Sequence, residues 1–309
     1  MNLKRAAQGV FLSFVFLFFA GFFIYGEQVF FKSLLAGSQS NFFASVSNAT
    51  SDTIIDNNQI AQFPQKDSQA QNLEINAESA ISVESNLSGA NRTLFEKNSG
   101  LKQPIASLTK LMTAVISLDN YDLLQKITVS KKADSQDPMR TDLKLGDTFS
   151  VTDILYIMLV ESSNKAAYAL SEQMGEKKFV ALMNQKAAEL GLKNTFYADP
   201  TGLSSENVST AEDLTKFAEY ILKNYPVVSQ ISRTKEYEVL NFGKIENTNL
   251  LLGEVPEVIL GKTGFTIEAK GSLLLAVNNL KNNDYLINVI LGADDRFGEM
   301  KKLIQIINQ

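Results

Sequence analysis

Cysteine and histidine are both absent from this 309-residue chain. Without cysteine there is no disulfide, no thiolate nucleophile, no thiolate metal site and no lipid-modified cysteine anchor. Without histidine there is no Ser-His-Asp hydrolase and no His-ligated zinc peptidase. Any general base working near neutral pH must then be Lys, Asp, Glu or Tyr. Basic residues number 29 and acidic residues 34, giving a net charge of −5. This excludes the strongly basic surface of a nucleic-acid binder, so no nucleic-acid partner is expected. Neither a metal nor a cofactor is expected.

What is present falls into three parts. Ala6 to Gly26 is an uncharged run of 21 residues containing seven phenylalanines, preceded by Lys4 and Arg5. As a helix it would span about 31 Å, the thickness of a bilayer core. The flanking cations predict a cytoplasmic N-terminus with the rest of the chain outside. Residues 1–31 are therefore expected to be a membrane anchor. The rival reading is a cleaved signal peptide, which would release the protein. The run is longer than the usual signal core and lacks a good small-x-small cleavage site. Residues 32–75 read as a disordered polar linker; within them, 38–72 hold six Ser, six Gln and five Asn without a period. The linker's random-coil reach would be about 30–35 Å.

Residues 76–309 have globular texture. Strand-like runs at 80–84 and 93–96 precede a helix expected to open at Pro104, with Ile105, Leu108, Leu111, Met112, Val115 and Ile116 at helical spacing. Helices are predicted near 151–160, 165–174, 176–190, 210–224 and 297–307. Strands are predicted at 126–130, 237–240, 258–262, 272–277 and 285–291. Strands, then helices, then strands predict an α+β fold: an antiparallel sheet covered by helices.

Without histidine, the economical nucleophile is a serine paired with a lysine. Ser-x-x-Lys puts both side chains on one helical face. It occurs four times, at Ser99, Ser107, Ser162 and Ser232. Only Ser107-Leu-Thr-Lys110 begins a long apolar helix. There the helix dipole favours an oxyanion, and burial lowers the lysine pKa and frees its amine. Ser162-Ser163-Asn164 closes an apolar helix, and Lys262-Thr263-Gly264 follows a strand. Lys262 and Thr263 suit a carboxylate, and Gly264 lets a substrate backbone approach. Taken singly, the second motif could be a helix cap and the third a turn. The three motif starts lie 55 and 100 residues apart.

In this order the motifs resemble those of penicillin-binding proteins and serine β-lactamases. The surroundings are most similar to the D-alanyl-D-alanine carboxypeptidases of peptidase family S11. The stretches that carry this are Pro104-Ile-Ala-Ser-Leu-Thr-Lys-Leu-Met-Thr113, Asp199-Pro-Thr-Gly-Leu203, Ser209-Thr-Ala-Glu-Asp-Leu214, Asn247-Thr-Asn-Leu-Leu251 and Gly261-Lys-Thr-Gly-Phe-Thr266. The resemblance implies a β-lactamase/transpeptidase-like fold with a mainly helical subdomain. It implies Ser107 as the acyl-forming nucleophile, Lys110 as its base and Ser162 as a proton relay. Asn164 would contact the substrate amide, Lys262, Thr263 and Arg296 its carboxylate. The N–H groups of Ser107 and Phe265 would form the oxyanion hole. Peptidoglycan stem peptides would be the substrates and β-lactam antibiotics covalent inhibitors. The alternatives are a D,D-endopeptidase cutting cross-links, a β-lactamase, and an inactive wall-binding homologue. The class A β-lactamase glutamate, in a Glu-x-x-x-Asn context, has no counterpart around Asp199.

Four departures from the family pattern stand out: Lys165 in place of Asp, Ser163 in place of Gly, Thr201 in place of His, and an extra residue in Ala269-Lys270-Gly271. Forty-five residues follow Gly264, short of the C-terminal domain and anchor many such enzymes carry, so the anchor is expected at the N-terminus. N-terminal sequencing of the membrane fraction checks this: the expected product retains residues 1–31, and a start after residue 36 or 49 would identify a cleaved signal.

Overall fold

The computed structural model describes residues 73–87, 91–137, 143–255, 257–279 and 284–305. The expected anchor, and the linker except for its last three residues, lie outside these. None of the described helices is long and apolar enough to cross a membrane.

The chain opens with a hairpin, β1 (Ser79–Ser85) and β2 (Asn91–Lys97). A two-residue strand β3 (Gln103–Pro104) leads into a 3-10 turn, Ala106–Thr109, and then helix α1 (Lys110–Asn120). The helical part continues with β4 (Lys126–Thr128), α2 (Lys131–Asp134), β5 (Thr148–Ser150), α3 (Val151–Val160), α4 (Asn164–Glu172) and α5 (Glu176–Glu189). After β6 (Val208–Ser209) come α6 (Ala211–Asn224) and α7 (Pro226–Ser232). A small hairpin, β7 (Glu236–Val239) and β8 (Gly243–Glu246), precedes three long strands, β9 (Val258–Thr266), β10 (Lys270–Asn279) and β11 (Asp284–Ala293). Helix α8 (Arg296–Ile304) follows.

The long strands and the first hairpin form one antiparallel sheet in the order β2-β1-β11-β10-β9. Alternation along β10 explains how one apolar run serves two layers. Leu274 and Ala276 join the large core shared with α1 and α3–α7. Leu273, Leu275 and Val277 join a smaller core closed by Met300 and Leu303 of α8. The sheet is thus buried on both faces, with β2 and β9 as its edges. This is the α+β arrangement that the order of predicted elements implied.

Local chemistry sets the element ends around the future site. Helix α3 starts with a capping box in which the Ser150 hydroxyl accepts from Asp153 N–H and the Asp153 carboxylate accepts from Ser150 N–H. Helix α4 is capped by Ser163, whose hydroxyl accepts from Ala166 N–H. Between them Ser162 turns the chain with φ +65°.

The structure corrects two local readings and adds one element. Pro104 does not open a helix: it lies in β3 opposite Val208. Ile105 N–H donates to Asn207 O at 3.0 Å, and Ala106 takes φ +46°, off the helical path. The helix dipole behind Ser107 therefore belongs to α1, one short 3-10 turn away. Helix α7, which no sequence reading assigned, opens with proline at its first position, where the missing N–H costs nothing. Lys262-Thr263-Gly264 lies within β9 rather than after a strand.

Candidate active site

Two glycines bring the chain together around Ser107. A Cβ on Gly202, whose φ is +87°, would lie 2.0 Å from Ala106 O and 3.0 Å from Ser107 N. A Cβ on Gly264 would lie 2.9 Å from Ile105 O and 3.2 Å from Ser107 N. No other residue type fits at either position. The loop containing Gly202 and edge strand β9 thus both press on the turn that carries Ser107. That turn is itself held in an unfavourable conformation by Ala106.

The loop is built around Asp199. Its carboxylate accepts from the N–H groups of Thr201, Gly202 and Ser204, from the Thr201 hydroxyl and from Asn207 Nδ2. Asn207 Oδ1 in turn accepts from Ala198 and Asp199 N–H. These bonds aim two carbonyls at α1: Pro200 O accepts from Thr113 Oγ1 at 2.6 Å, and Thr201 O from Lys110 Nζ at 2.6 Å.

Lys110 is fully buried. Its amine lies 2.8 Å from Ser107 Oγ and 2.7 Å from Asn164 Oδ1. Burial pushes its pKa down from 10.5 to about 7, partly opposed by the Asp199 carboxylate. The neutral amine has two protons and one lone pair. Thr201 O and Asn164 Oδ1 can only accept, so they take the two protons. The lone pair is left for Ser107, whose O–H donates to it. Burial thus favours the neutral amine, and in that state the cage sets the direction of the proton.

A second buried amine stands opposite. Lys262 Nζ donates to Ser162 Oγ at 2.8 Å and to Thr263 O at 3.0 Å. Burial, then the charges of Lys110 and Arg296, hold its pKa well below the ordinary lysine range. The Thr263 hydroxyl is 2.6 Å from that of Thr248. Arg296 Nη1 donates to Gly264 O at 2.9 Å, and its guanidinium lies over the Phe297 ring. Its buried Nε has no partner among the described residues. Phe265 is 58% exposed beside this edge.

Ser107, Lys110 and Asn164 thus form one hydrogen-bonded group and Ser162, Lys262 and Thr263 a second, with Arg296 bonded to Gly264 and Gly264 packed on Ser107 between them. The other Ser-x-x-Lys serines are occupied elsewhere: Ser99 Oγ donates to Glu96, and Ser232 Oγ donates to Ser229 O and accepts from Gly261 N–H. Ser162 is not a helix cap; the neighbouring Ser163 is. Of the departures, Lys165 is buried and pairs with Asp134 at 2.7 Å while donating to Leu143 O. Asn164 Nδ2 donates to Asp137 O in the same segment. Sequence reading did not assign roles to Asp199, Asn207 or Thr248. The Asp-Pro-Thr-Gly turn signature was the visible trace of the first two.

Two buried lysine amines thus face two serines across a sheet edge. Residues 65–295 match the family model of the peptidase S11 D-alanyl-D-alanine carboxypeptidases, and the chain belongs to that family. It is 37% identical over 195 residues to a D-alanyl-D-alanine endopeptidase of Pseudomonas aeruginosa, covering 60% of this chain and 62% of that one. It is 35% identical to a D-alanyl-D-alanine endopeptidase of Escherichia coli, covering 72% and 74%. It is 32% identical to a D-alanyl-D-alanine carboxypeptidase of Bacillus subtilis, covering 74% and 61%. The match thus spans less than two thirds of the P. aeruginosa and B. subtilis proteins. Among solved structures, a penicillin-binding protein of Listeria monocytogenes in its cefotaxime-bound form superposes with a TM-score of 0.69 at 27% identity, over 77% of this chain and 99% of that one.

Gly202→Ala tests the clamp on Ser107. Displacing Ser107 by about 1 Å is expected to slow labelling by a fluorescent penicillin about 100-fold. Gly100→Ala, with nothing within 4 Å of the added Cβ, is expected to label like the wild type.

Proposed function

We propose that the chain is a serine D-Ala-D-Ala carboxypeptidase that trims peptidoglycan stem peptides through an acyl-enzyme on Ser107. The carrying observation is the buried amine of Lys110, its pKa lowered to about 7, 2.8 Å from Ser107 Oγ. Lys110 takes the Ser107 proton as Oγ attacks the penultimate D-alanine carbonyl. The oxyanion that forms is received by the N–H groups of Ser107 and Phe265. Ser162, bonded to Lys262, passes a proton to the leaving amine, and free D-alanine departs. Asn164 holds the substrate amide. Lys262, Thr263 and Arg296 hold the terminal carboxylate. Water then hydrolyses the ester and regenerates Ser107. β-Lactams would acylate the same oxygen and block the site.

A D,D-endopeptidase is the second reading. The P. aeruginosa and E. coli relatives, at 37% and 35% identity, carry that name. Under either reading we place the catalytic domain outside the cytoplasmic membrane, tethered through residues 1–31 and the linker, or secreted if that segment is cleaved.

Incubation of the protein with a pentapeptide ending in D-Ala-D-Ala and with a cross-linked dimer separates the readings. Free D-alanine from the first is expected; cleavage of only the second establishes the endopeptidase. Ser107→Ala is expected to abolish covalent penicillin labelling, and an adduct mapped to Ser99, Ser162 or Ser232 would overturn the assignment.

The acylation rate is expected to depend on pH through Lys110. The amine must be neutral, and its neutral fraction grows as pH rises through about 7. The rate should therefore climb between pH 6 and 8, about tenfold per unit on the acid side. Stopped-flow acylation across this range is the measurement; a flat profile would remove Lys110 as the base.

A further inference from the structure

Thr248 touches neither lysine, yet its position is held from both sides. Asn247 Nδ2 donates to Ser232 O and Thr234 O, and Asn247 Oδ1 accepts from Asn249 N–H. Asn249 Oδ1 accepts from Leu251 N–H, and its amide group packs where a Cβ on Gly261 of β9 would stand, 2.8 Å away. Thr248 N–H donates to Val160 O at 3.0 Å, at the end of α3 just before Ser162. Thr248 therefore joins the chain that carries Ser162 to the strand that carries Thr263.

The 2.6 Å contact between the Thr248 and Thr263 hydroxyls has two possible directions. If Thr263 donates, its proton is spent and only lone pairs remain to face a ligand. If Thr248 donates, the Thr263 proton is free. Thr263 is buried, and among the described residues Thr248 is the sole hydrogen-bond partner of its hydroxyl. Beside it stand Lys262 and Arg296, which draw an anion to this spot. A carboxylate accepts only, so its arrival selects the second direction and creates a chain from Thr248 to Thr263 to the anion, each bond strengthening the next.

We propose that Thr248 is a positioning residue for substrate carboxylate recognition: by donating to Thr263 Oγ1, its hydroxyl turns Thr263's own proton toward the bound anion and strengthens that bond. This rests on the serine-peptidase reading of the same site. It predicts an effect on binding of the free acid and not on bond making at Ser107.

Thr248→Val keeps the shape and removes the proton, while Thr248→Ser keeps the proton. Benzylpenicillin and its methyl ester serve as probes, since they differ only in the carboxylate. Saturation kinetics of acylation separate the binding constant from the limiting rate. The expected result for Thr248→Val is about a 3- to 12-fold weaker binding of benzylpenicillin with an unchanged limiting rate, and for Thr248→Ser a return to within about twofold of wild type. The methyl ester should bind the valine variant and the wild type equally. Equal losses for acid and ester, no loss for the acid, or failure of serine to restore binding each overturn the proposal. Thermal unfolding of both variants separates misfolding from lost recognition: a destabilised valine variant that weakens acid and ester alike counts against it. The same assays keep the two readings apart. Wild-type acylation without D-alanine release defeats the carboxypeptidase reading while the penicillin data still decide Thr248; a wild type that is not acylated defeats both.

Discussion

An amine removed from water loses several kilocalories per mole of solvation, and this site buries two of them. Lowering Lys110 from 10.5 to about 7 corresponds to about 5 kcal/mol against the charged form. The fold tolerates this because the amine is ringed by fixed acceptors: a backbone carbonyl and an amide oxygen. The acceptors exist because Asp199 and Asn207 tie the loop containing Thr201 and because α4 starts at Asn164. The sign of the linkage follows. Between about pH 7 and 10.5 the unfolded chain binds a proton at Lys110 that the folded chain does not. Stability from this group rises with pH across that window and is lowest below it. The burial that lowers the pKa of the amine is thus also a cost to the stability of the domain below that window.

Geometry is fixed by a different constraint, the absence of side chains at two points. Gly202 and Gly264 allow the loop and the sheet edge to reach the backbone of Ala106 and Ser107. The positive φ values of Ala106 and Ser162 place both site serines next to, or within, a backbone conformation costly for residues with a Cβ. Packing from several elements holds them there: β9 against the 3-10 turn, and α4 against α3.

The sequence made much of this legible, for separable reasons. The long apolar runs in β10 and β11 and the periodic face of α1 survive as elements because burial enforces their pattern. The Ser-x-x-Lys at Ser107 stood apart from those at Ser99 and Ser232 because only its apolar surroundings announce a dry lysine. Where reading failed, a tertiary contact had overridden local preference. Pro104 resembles a helix start until β6 pairs with it. The Thr248–Thr263 contact joins residues on separate elements. No spacing encodes it, since the Asn-rich segment around Thr248 has neither helical nor strand period. Lys165 reads as a broken motif, yet in space it is a paired cation holding Asp134 and Leu143 against α4.

The register of the sheet has a consequence for how the molecule comes into being. β1, the first strand, lies between β2 and β11, so the first and last strands of the sheet are direct partners, Ser79 opposite Leu291. A ribosome that has released only the early part of the domain has made β1 and β2 but nothing to seat them on one side. The helices can form from local contacts as they emerge, whereas the sheet must wait for the most distant pairing in the chain. β9, which presents Lys262 and Thr263, gains its support from β10 in the same late step. A nascent chain therefore keeps its sheet incomplete until the last strands are made. The groups that bond to the Lys110 amine, Ser107, Asn164 and Thr201, are made earlier, whereas the strand carrying Lys262 and Thr263 is seated only when synthesis reaches the final strands.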